Sequence, residues 1–499
     1  MLSDKRTRRT DSYVSCPLAH SGPAYRDVCA LTLLAFLLDF VNITNTSVGL
    51  DESVSIAYAR LSITSLLSIL TGGDANMSLY HVLLNLWVRM FGESELAVRS
   101  LSAVFGALAV SAIYLLGARL FGRTAGLVAG LLFALDAFIV HYADTARSYA
   151  MLVLLVVLSS YFLVVEIEQP SRRNRIAYVL ASTLAVYAHY FAAYVLVVHV
   201  CTLVALRRRT ALTREWLGVA AAIVLLCTPE AIFAFREGPV LISWIKQPTL
   251  NDVQATLVEL AGGSRVLLFA LIAGGCYATV SAVKERGYWR NGFVAAWLVV
   301  PIVLSFALSF VQPIFLSRYF IICVPALILF GTAAITSVRR PVAAGALIAT
   351  FVWLSATQLL AFYTSDVGEN WRDATRYVLA ATRPGDAIVF YPRYARKPFE
   401  YYQRQGKSIA PTNLDGHALE ERQRIWLVIR ESDAVAHFPE IQQLQSQLSE
   451  SYRRAAQRRF RNVVIEFYTR NTNTQDAPVK DRTPQAREGG ARLPSLLFR

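Results

Sequence analysis

Three stretches decide the fold class: SLSAVFGALAVSAIYLLG at residues 100–117, AGLVAGLLFALDAFIV at 125–140 and YAMLVLLVVLSSYFLVV at 149–165. Each comes close to the roughly 20 apolar residues a helix needs to cross a hydrocarbon core. A backbone in lipid must satisfy its own N–H and C=O groups, so such blocks are expected to be helices. Further blocks fall at 28–43, 176–188, 191–206, 216–235, 266–283, 292–311, 319–338 and 342–362. The expected fold class is mainly α, a polytopic membrane protein of about eleven spans. Composition agrees: 55% of the 499 residues are hydrophobic and 17% are charged, against about 25% charged in soluble domains.

The net charge of +14 does not point to nucleic acid, because the basic residues sit in short connections between apolar blocks, as topology signals do. Lys5 to Arg9, Arg119 to Arg123, Arg172 to Arg175, Arg207 to Arg214, Lys284 to Arg290 and Arg339-Arg340 all fall on one side of an eleven-span path. That side is expected to be cytoplasmic, with residues 1–25 as a basic tail and the C-terminus on the opposite side. Residues 1–25 hold no apolar core of a cleavable signal peptide. The six cysteines show neither a disulfide framework nor a zinc spacing.

Residues 26–362 form the expected transmembrane domain. Its first extracytoplasmic loop, 44–99, carries amphipathic segments suited to lying in the membrane interface, with Tyr80, Trp87 and Phe91 at that depth. Residues 363–469 return to soluble composition and alternate helix and strand patterns, which predicts a small α/β domain. Strands are expected at 387–391, 425–429 and 463–468, and a disordered tail over 470–499.

Ionisable residues gather near the extracytoplasmic boundary. Asp51-Glu52 follows the first span; burial and mutual repulsion there would raise one pKa toward neutrality and make a general base. A solvated loop end is the plainer reading. His141, Asp144 and Arg147 share a face if the segment is helical, so Asp144 would orient Arg147 toward a phosphate. The plainer reading is a pair closing a helical turn. Arg318 in Ser317-Arg318-Tyr319 needs an anion at its depth, and a lipid phosphate is one; snorkelling is the alternative. Asp39 and Asp136 lie inside apolar blocks, where a carboxylate needs a partner. Tyr80, His81, Arg99, Asp144 and Tyr149 complete the substrate-facing set; Arg99 is either structural or phosphate-facing, and His81 and His189 rank lower because a lone histidine is more often structural than catalytic. No phosphate loop, GxGxxG, HExxH or DxD is present, which disfavours a soluble nucleotide-sugar donor.

The ordered set Asp51-Glu52, Asp74 to His81, Phe91 to Glu95, Arg99 to Ser102, Gly117 to Gly126, Tyr142 to Tyr149 and Arg318-Tyr319 resembles the bacterial GT-C glycosyltransferases. The likeness is to the protein-mannosyltransferase and aminoarabinose-transferase type, including the Rgt-like galacturonosyltransferases. It covers about residues 28–365 and is densest over 51–165. Met77-Ser78 departs from a common Pro-Pro, and Asp144-Thr145 from a common Gln-Glu.

The resemblance implies a bacterial inner-membrane enzyme that takes a sugar from a polyprenyl-phosphate donor with inversion. The acceptor would be a lipopolysaccharide, another envelope glycan or a protein. It also implies Asp51 as base with Glu52 beside it, Arg147, Arg318 and Tyr319 at the donor phosphate, and no required metal or other cofactor. Its partners would be membrane lipids, donor and acceptor, with no nucleic acid. A lipid-linked sugar transporter and a non-catalytic membrane scaffold are the rival readings.

Overall fold

The structure, a computed structural model, describes residues 24–72, 76–206, 214–237, 244–284, 288–365, 368–404, 422–431 and 439–471. Most of the basic segment 1–25, the cluster Arg207 to Arg209 and the tail from 472 onward lie outside the described residues.

Every apolar block read from the sequence is helical. The blocks correspond to α1 (Tyr25–Val41), α5 (Glu95–Phe121), the pair α6 (Arg123–Ala134) and α7 (Ala137–Ala143), α8 (Tyr149–Glu168), α9 (Arg172–Ala188), α10 (Ala192–Leu206), α11 (Arg214–Glu237), α13 (Arg265–Lys284), α14 (Trp289–Leu308), α15 (Val324–Ser337) and α16 (Pro341–Thr364). Seven spans among the described residues pass for length and apolarity, or eight with the bent pair α6–α7. α1, α9 and α10 are shorter, with 17, 17 and 15 residues. Between these helices lie α2 (Leu50–Ala59), α3 (Ile63–Gly72), α4 (Ser78–Phe91) and α12 (Leu250–Glu259).

Local chemistry sets the boundaries that matter. Ser94 caps α5 by accepting from the Ala97 N–H at 3.2 Å, and Gly122 ends it at φ +90°. Its 27 residues span about 40 Å at 1.5 Å each. α6 returns against α5 with almost no gap: a Cβ on Gly126 would stand 2.6 Å from the Ala118 nitrogen. Small residues permit this backbone approach, which favours helix pairing in lipid. α7 leaves α6 at 61°. Asp136, the carboxylate inside an apolar block, finds its partners there by capping α7 through the Phe138 and Ile139 N–H groups at 3.0 and 3.1 Å.

The end of the bundle near α7 carries the 44–99 segment and the sheet domain; the other end gathers the arginines. There Glu168 bridges Arg119 (2.5 Å) and Arg290 (2.8 Å), Asp27 pairs with Arg123 (2.7 Å), and Arg175 pairs with Glu215.

The sheet domain contains α17 (Trp371–Ala381), β1 (Ala387–Tyr391), α18 (Arg396–Arg404), β2 (Arg424–Arg430), α19 (Pro439–Ser451), β3 (Tyr452–Phe460) and β4 (Val463–Arg470). Its strand order is β1-β2-β4-β3; β1 and β2 are parallel, and the other pairings are antiparallel. Alternation along β2 sorts the two faces. Trp426 and Val428 join the main core, which is continuous with the helical body, while Ile425, Leu427 and Ile429 pack with Ile441 and Leu448 of α19. The strand β3 was not expected. Its sequence YRRAAQRRF has no apolar alternation and most of it is exposed, so only its ladder to β4 makes it a strand.

Candidate active site

Asp51 and Glu52 open α2 rather than ending a loop. Neighbours on a helix point about 100° apart, so the two carboxylates go to different places. Glu52 turns inward. Its Oε1 accepts from Arg99 Nε at 2.7 Å and the Ala146 N–H at 3.0 Å, and its Oε2 from Arg99 Nη2 at 2.7 Å and the Gly49 N–H at 3.1 Å. Arg99 also donates to the carbonyls of Ile43, Thr46 and Ser47 at 2.7, 2.9 and 3.2 Å. A guanidinium has five N–H donors in a fixed fork, and these contacts use the fork up. Of the two readings of Arg99 the structure favours the structural one, a buried strut with no donor left for substrate; it corrects the placing of Glu52 among the catalytic groups, since Glu52 is the counter-ion of Arg99.

Asp51 turns the other way, and its side chain keeps 45% of its surface open. Arg318 Nη1 donates to Asp51 Oδ2 at 3.1 Å from a 3-10 turn, Ser317–Cys323. Arg147 Nη1 donates to the Asp51 carbonyl at 3.3 Å and lies 3.5 Å from Ser55 Oγ. Two guanidinium groups from distant parts of the chain thus share one small space with one carboxylate. Burial pushes the Asp51 pKa up, but the charges of Arg147, Arg318 and then Arg430 outweigh it and hold the carboxyl below its usual range. Glu52 is also held low, because Arg99 and two backbone N–H groups outweigh its burial. The expected rise of one carboxylate toward neutrality does not occur at this pair.

The turn carrying Arg147 is also not as expected. α7 ends at Ala143, so His141, Asp144 and Arg147 do not share a helical face. Arg147 sits in a turn held from behind, where Ser102 Oγ donates to the Arg147 carbonyl at 3.1 Å and pairs with Tyr80 OH at 2.8 Å. Tyr80 therefore supports the turn instead of lining the opening. Among the described residues no hydrogen bond or ion pair joins Asp144 to Arg147. Asp144 is buried toward Arg99 and Glu52, its Oδ1 has no partner, and burial pushes its pKa up to about 8.

Aromatic rings wall the space. The Arg318 guanidinium lies over Tyr319 and Trp244, 5.8 and 5.7 Å from the ring centroids. Tyr319 stands 4.9 Å from His189, and Tyr149 stands 4.7 Å from Tyr142 and 5.9 Å from His189. Beyond Tyr319 and His189 opens an almost wholly apolar cavity of about 380 Å³, lined by Phe191, Tyr194, Val197 and Leu308 among others. His81 is buried beside Tyr58, 5.1 Å between ring centroids, with neither ring nitrogen hydrogen-bonded; burial and then Arg147 push its pKa down to about 3. Among the described residues no group of three or more His, Cys, Asp or Glu side chains is placed to hold a metal ion.

Sequence reasoning missed Trp244 and Arg430, and it ranked His189 low. Trp244 follows a segment that carries no motif, and Arg430, on a distant strand, enters through its charge on Asp51. Arg430 is held by Glu369, Nε to Oε1 at 2.5 Å.

Residues 79–233 match the family described as dolichyl-phosphate-mannose-protein mannosyltransferase. No curated protein sequence matches the chain. In structure the chain is similar to ArnT from Cupriavidus metallidurans bound to undecaprenyl phosphate, with 13% identity and a TM-score of 0.58 over 89% of this chain and 98% of that one. The apo state of the same protein gives 14% identity and 0.56 over 88% and 97%. The arabinofuranosyltransferase AftD from Mycobacteria is 14% identical, with a TM-score of 0.51 over 91% of this chain and 42% of that longer one. With the helical bundle, the first-loop helices and the small sheet domain, these likenesses define the GT-C fold. The chain has the ArnT-like GT-C fold, and about a third of it, residues 79–233, matches the mannosyltransferase family model.

Proposed function

We propose that the chain transfers a sugar from a polyprenyl-phosphate donor to an acceptor hydroxyl, with inversion at the anomeric carbon and Asp51 as base. The observation that carries this reading is the Asp51–Arg318–Arg147 constellation, joined through Tyr319 to an apolar cavity beside it. A phosphate needs cations and a prenyl tail needs an apolar channel, and here the two adjoin. ArnT, of similar fold, is bound to undecaprenyl phosphate, which supports a lipid-linked donor.

In the reaction, the donor phosphate takes Arg318 and Arg147, and its tail lies past Tyr319 and His189 in the cavity. The acceptor oxygen attacks the anomeric carbon opposite the phosphate. Its proton passes to an Asp51 carboxylate oxygen. The bond between that carbon and the phosphate oxygen breaks, and the two guanidinium groups stabilise the charge left on the polyprenyl phosphate. Arrival of the donor also removes the arginines' hold on Asp51. The carboxylate becomes more basic when a sugar is present to receive the acceptor.

The acceptor is a hydroxyl of an envelope glycan, glycolipid or protein. The arginine-rich end of the bundle supports a cytoplasmic placing for that end, so the site faces out of a bacterial inner membrane. Asp51→Asn in reconstituted vesicles supplied with a polyprenyl-phosphate sugar should lose turnover and still insert. Near-normal transfer by that variant would reject the assignment. Failure of the unmodified chain to move any sugar in detergent, where sidedness is lost, would favour a transporter.

A further inference from the structure

The irregular segment between α1 and α2, residues 42–49, hands the chain to the helix that begins with Leu50 and Asp51. It has no regular backbone pairing of its own, so other parts of the molecule must hold it. From the helical body Arg99 grips its carbonyls, as described above. From the opposite side the sheet domain grips it more extensively. Tyr402 OH accepts from the Val48 N–H at 2.6 Å and donates to Glu95 Oε1 at 2.6 Å. Arg372 Nη2 donates to the Thr44 and Thr46 carbonyls at 2.7 and 3.3 Å, and the same guanidinium pairs with Glu95. The Trp371 N–H donates to Ser47 Oγ at 2.9 Å, and Ser47 donates in turn to the Glu369 carbonyl.

Glu95 is the first residue of α5, so these contacts tie three things together: the sheet domain, a long body helix and the lead-in to α2. A ring hydroxyl that accepts from one buried group and donates to another fixes both. Asp51 lies three residues beyond Val48. A shift of about 1 Å in catalytic placement can cost 10²-fold in rate.

We propose that Tyr402, with Glu95 and Arg372, is a positioning latch by which the sheet domain sets where the Asp51 carboxylate stands relative to Arg318 and Arg147. This rests on the reading of Asp51 as the base. It gives the domain a part in the chemistry without placing any of its side chains on the reacting atoms.

The test uses the full chain in nanodiscs and compares the unmodified protein with Tyr402→Phe, which keeps the ring and removes the hydroxyl. Glu95→Gln serves as a second variant of similar shape. Hydrogen exchange at the backbone of residues 44–52 should quicken about tenfold in Tyr402→Phe, with α8 and α15 unchanged. Turnover should fall about 10- to 100-fold while the donor KM shifts less than about twofold. The acid limb of kcat/KM should move to higher pH as Asp51 leaves its arginines in the free enzyme.

Unchanged exchange over 44–52 overturns the latch. So does unchanged kcat in both variants, or a loss of folded protein with the pH limb in place. If the unmodified chain transfers no sugar from any lipid-linked donor tested, the reading of Asp51 as the base fails; the exchange result alone then decides whether Tyr402 holds α2.

Discussion

The Asp51 carboxylate lies 3.1 Å from the Arg318 guanidinium, although 267 residues separate them along the chain. The pair is half open, so its Coulomb energy at rest is modest. On the proposed function its value lies in what replaces it, because a donor phosphate would compete with Asp51 for the same cation. Replacing Arg318 by glutamine should therefore lower kcat/KM for the donor about 10²- to 10³-fold, the usual cost of removing one transition-state charge donor. Arg318→Lys should recover part of this, since a point charge keeps the attraction and loses the fork. Steady-state rates with a purified lipid-linked donor check both.

The pH profile carries the same logic. In the free enzyme Arg147 and Arg318 outweigh burial and hold the Asp51 carboxyl below its ordinary 3.8. As the proposed base, Asp51 is then ionised over the whole range where the protein is handled, and the acid limb of kcat/KM should lie below that value. In the donor complex the phosphate spends the arginines' charge, so the limb of kcat should sit at higher pH than that of kcat/KM. Coincident limbs would show that the phosphate does not meet these two guanidinium groups.

Glu52 and Arg99 form a buried pair with side chains only 7% and 2% exposed. Breaking such a pair leaves an uncompensated buried charge and costs about 3 to 5 kcal/mol. Glu52→Gln should lower the unfolding temperature markedly, and Glu52→Gln with Arg99→Met should recover part of the loss. The sign with pH follows from the depressed folded pKa of Glu52. Its contribution is present above the ordinary 4.5 and is lost as pH falls through the lower folded value. Thermal unfolding of wild type and variant between pH 3 and 7, a range of about four units, reads this directly.

Asp144 should behave in the opposite way. Burial raises its pKa from 3.8 to about 8, so the folded protein holds a neutral carboxyl at pH 7. Its contribution to stability is full below the ordinary value and is lost as pH rises through about 8. Asp144→Asn copies the neutral form and should change kcat less than about threefold. It should also flatten the fall of unfolding temperature between pH 5 and 9, a window of about four units around that pKa. A rate loss as deep as that of Asp51→Asn would return Asp144 to the substrate site.

The eleven helical blocks were legible because a membrane imposes length and apolarity on each span separately, whatever its neighbours do. The first-loop helices at 63–72 and 78–91 and the strands β1, β2 and β4 were legible for a similar reason, since each carries its own pattern. Asp51, Arg147 and Arg318 stood out because charges beside an apolar wall require partners. Their division of labour was not legible. Nothing in Asp51-Glu52 says which carboxylate faces the opening until helix geometry and the fork of Arg99 are in place. Arg99 stayed open between a structural and a phosphate-facing role because a sequence does not show that its donors are already taken. The helical face drawn through His141, Asp144 and Arg147 failed because α7 stops at Ala143, after only seven residues. β3 escaped because pairing with β4, not its own residues, makes it extended.

The apolar cavity beyond Tyr319 reaches Val197 and Leu308, and both keep a substantial exposed surface, 39% and 44%, on the flank of the helical body. On the proposed function, a prenyl chain entering from that flank would never have to leave the membrane plane, and the encounter would be a two-dimensional search among lipids. The quantity that saturates such a protein is mole fraction of donor in the bilayer, and diluting the vesicles with buffer should leave turnover unchanged while diluting them with plain phospholipid should slow it.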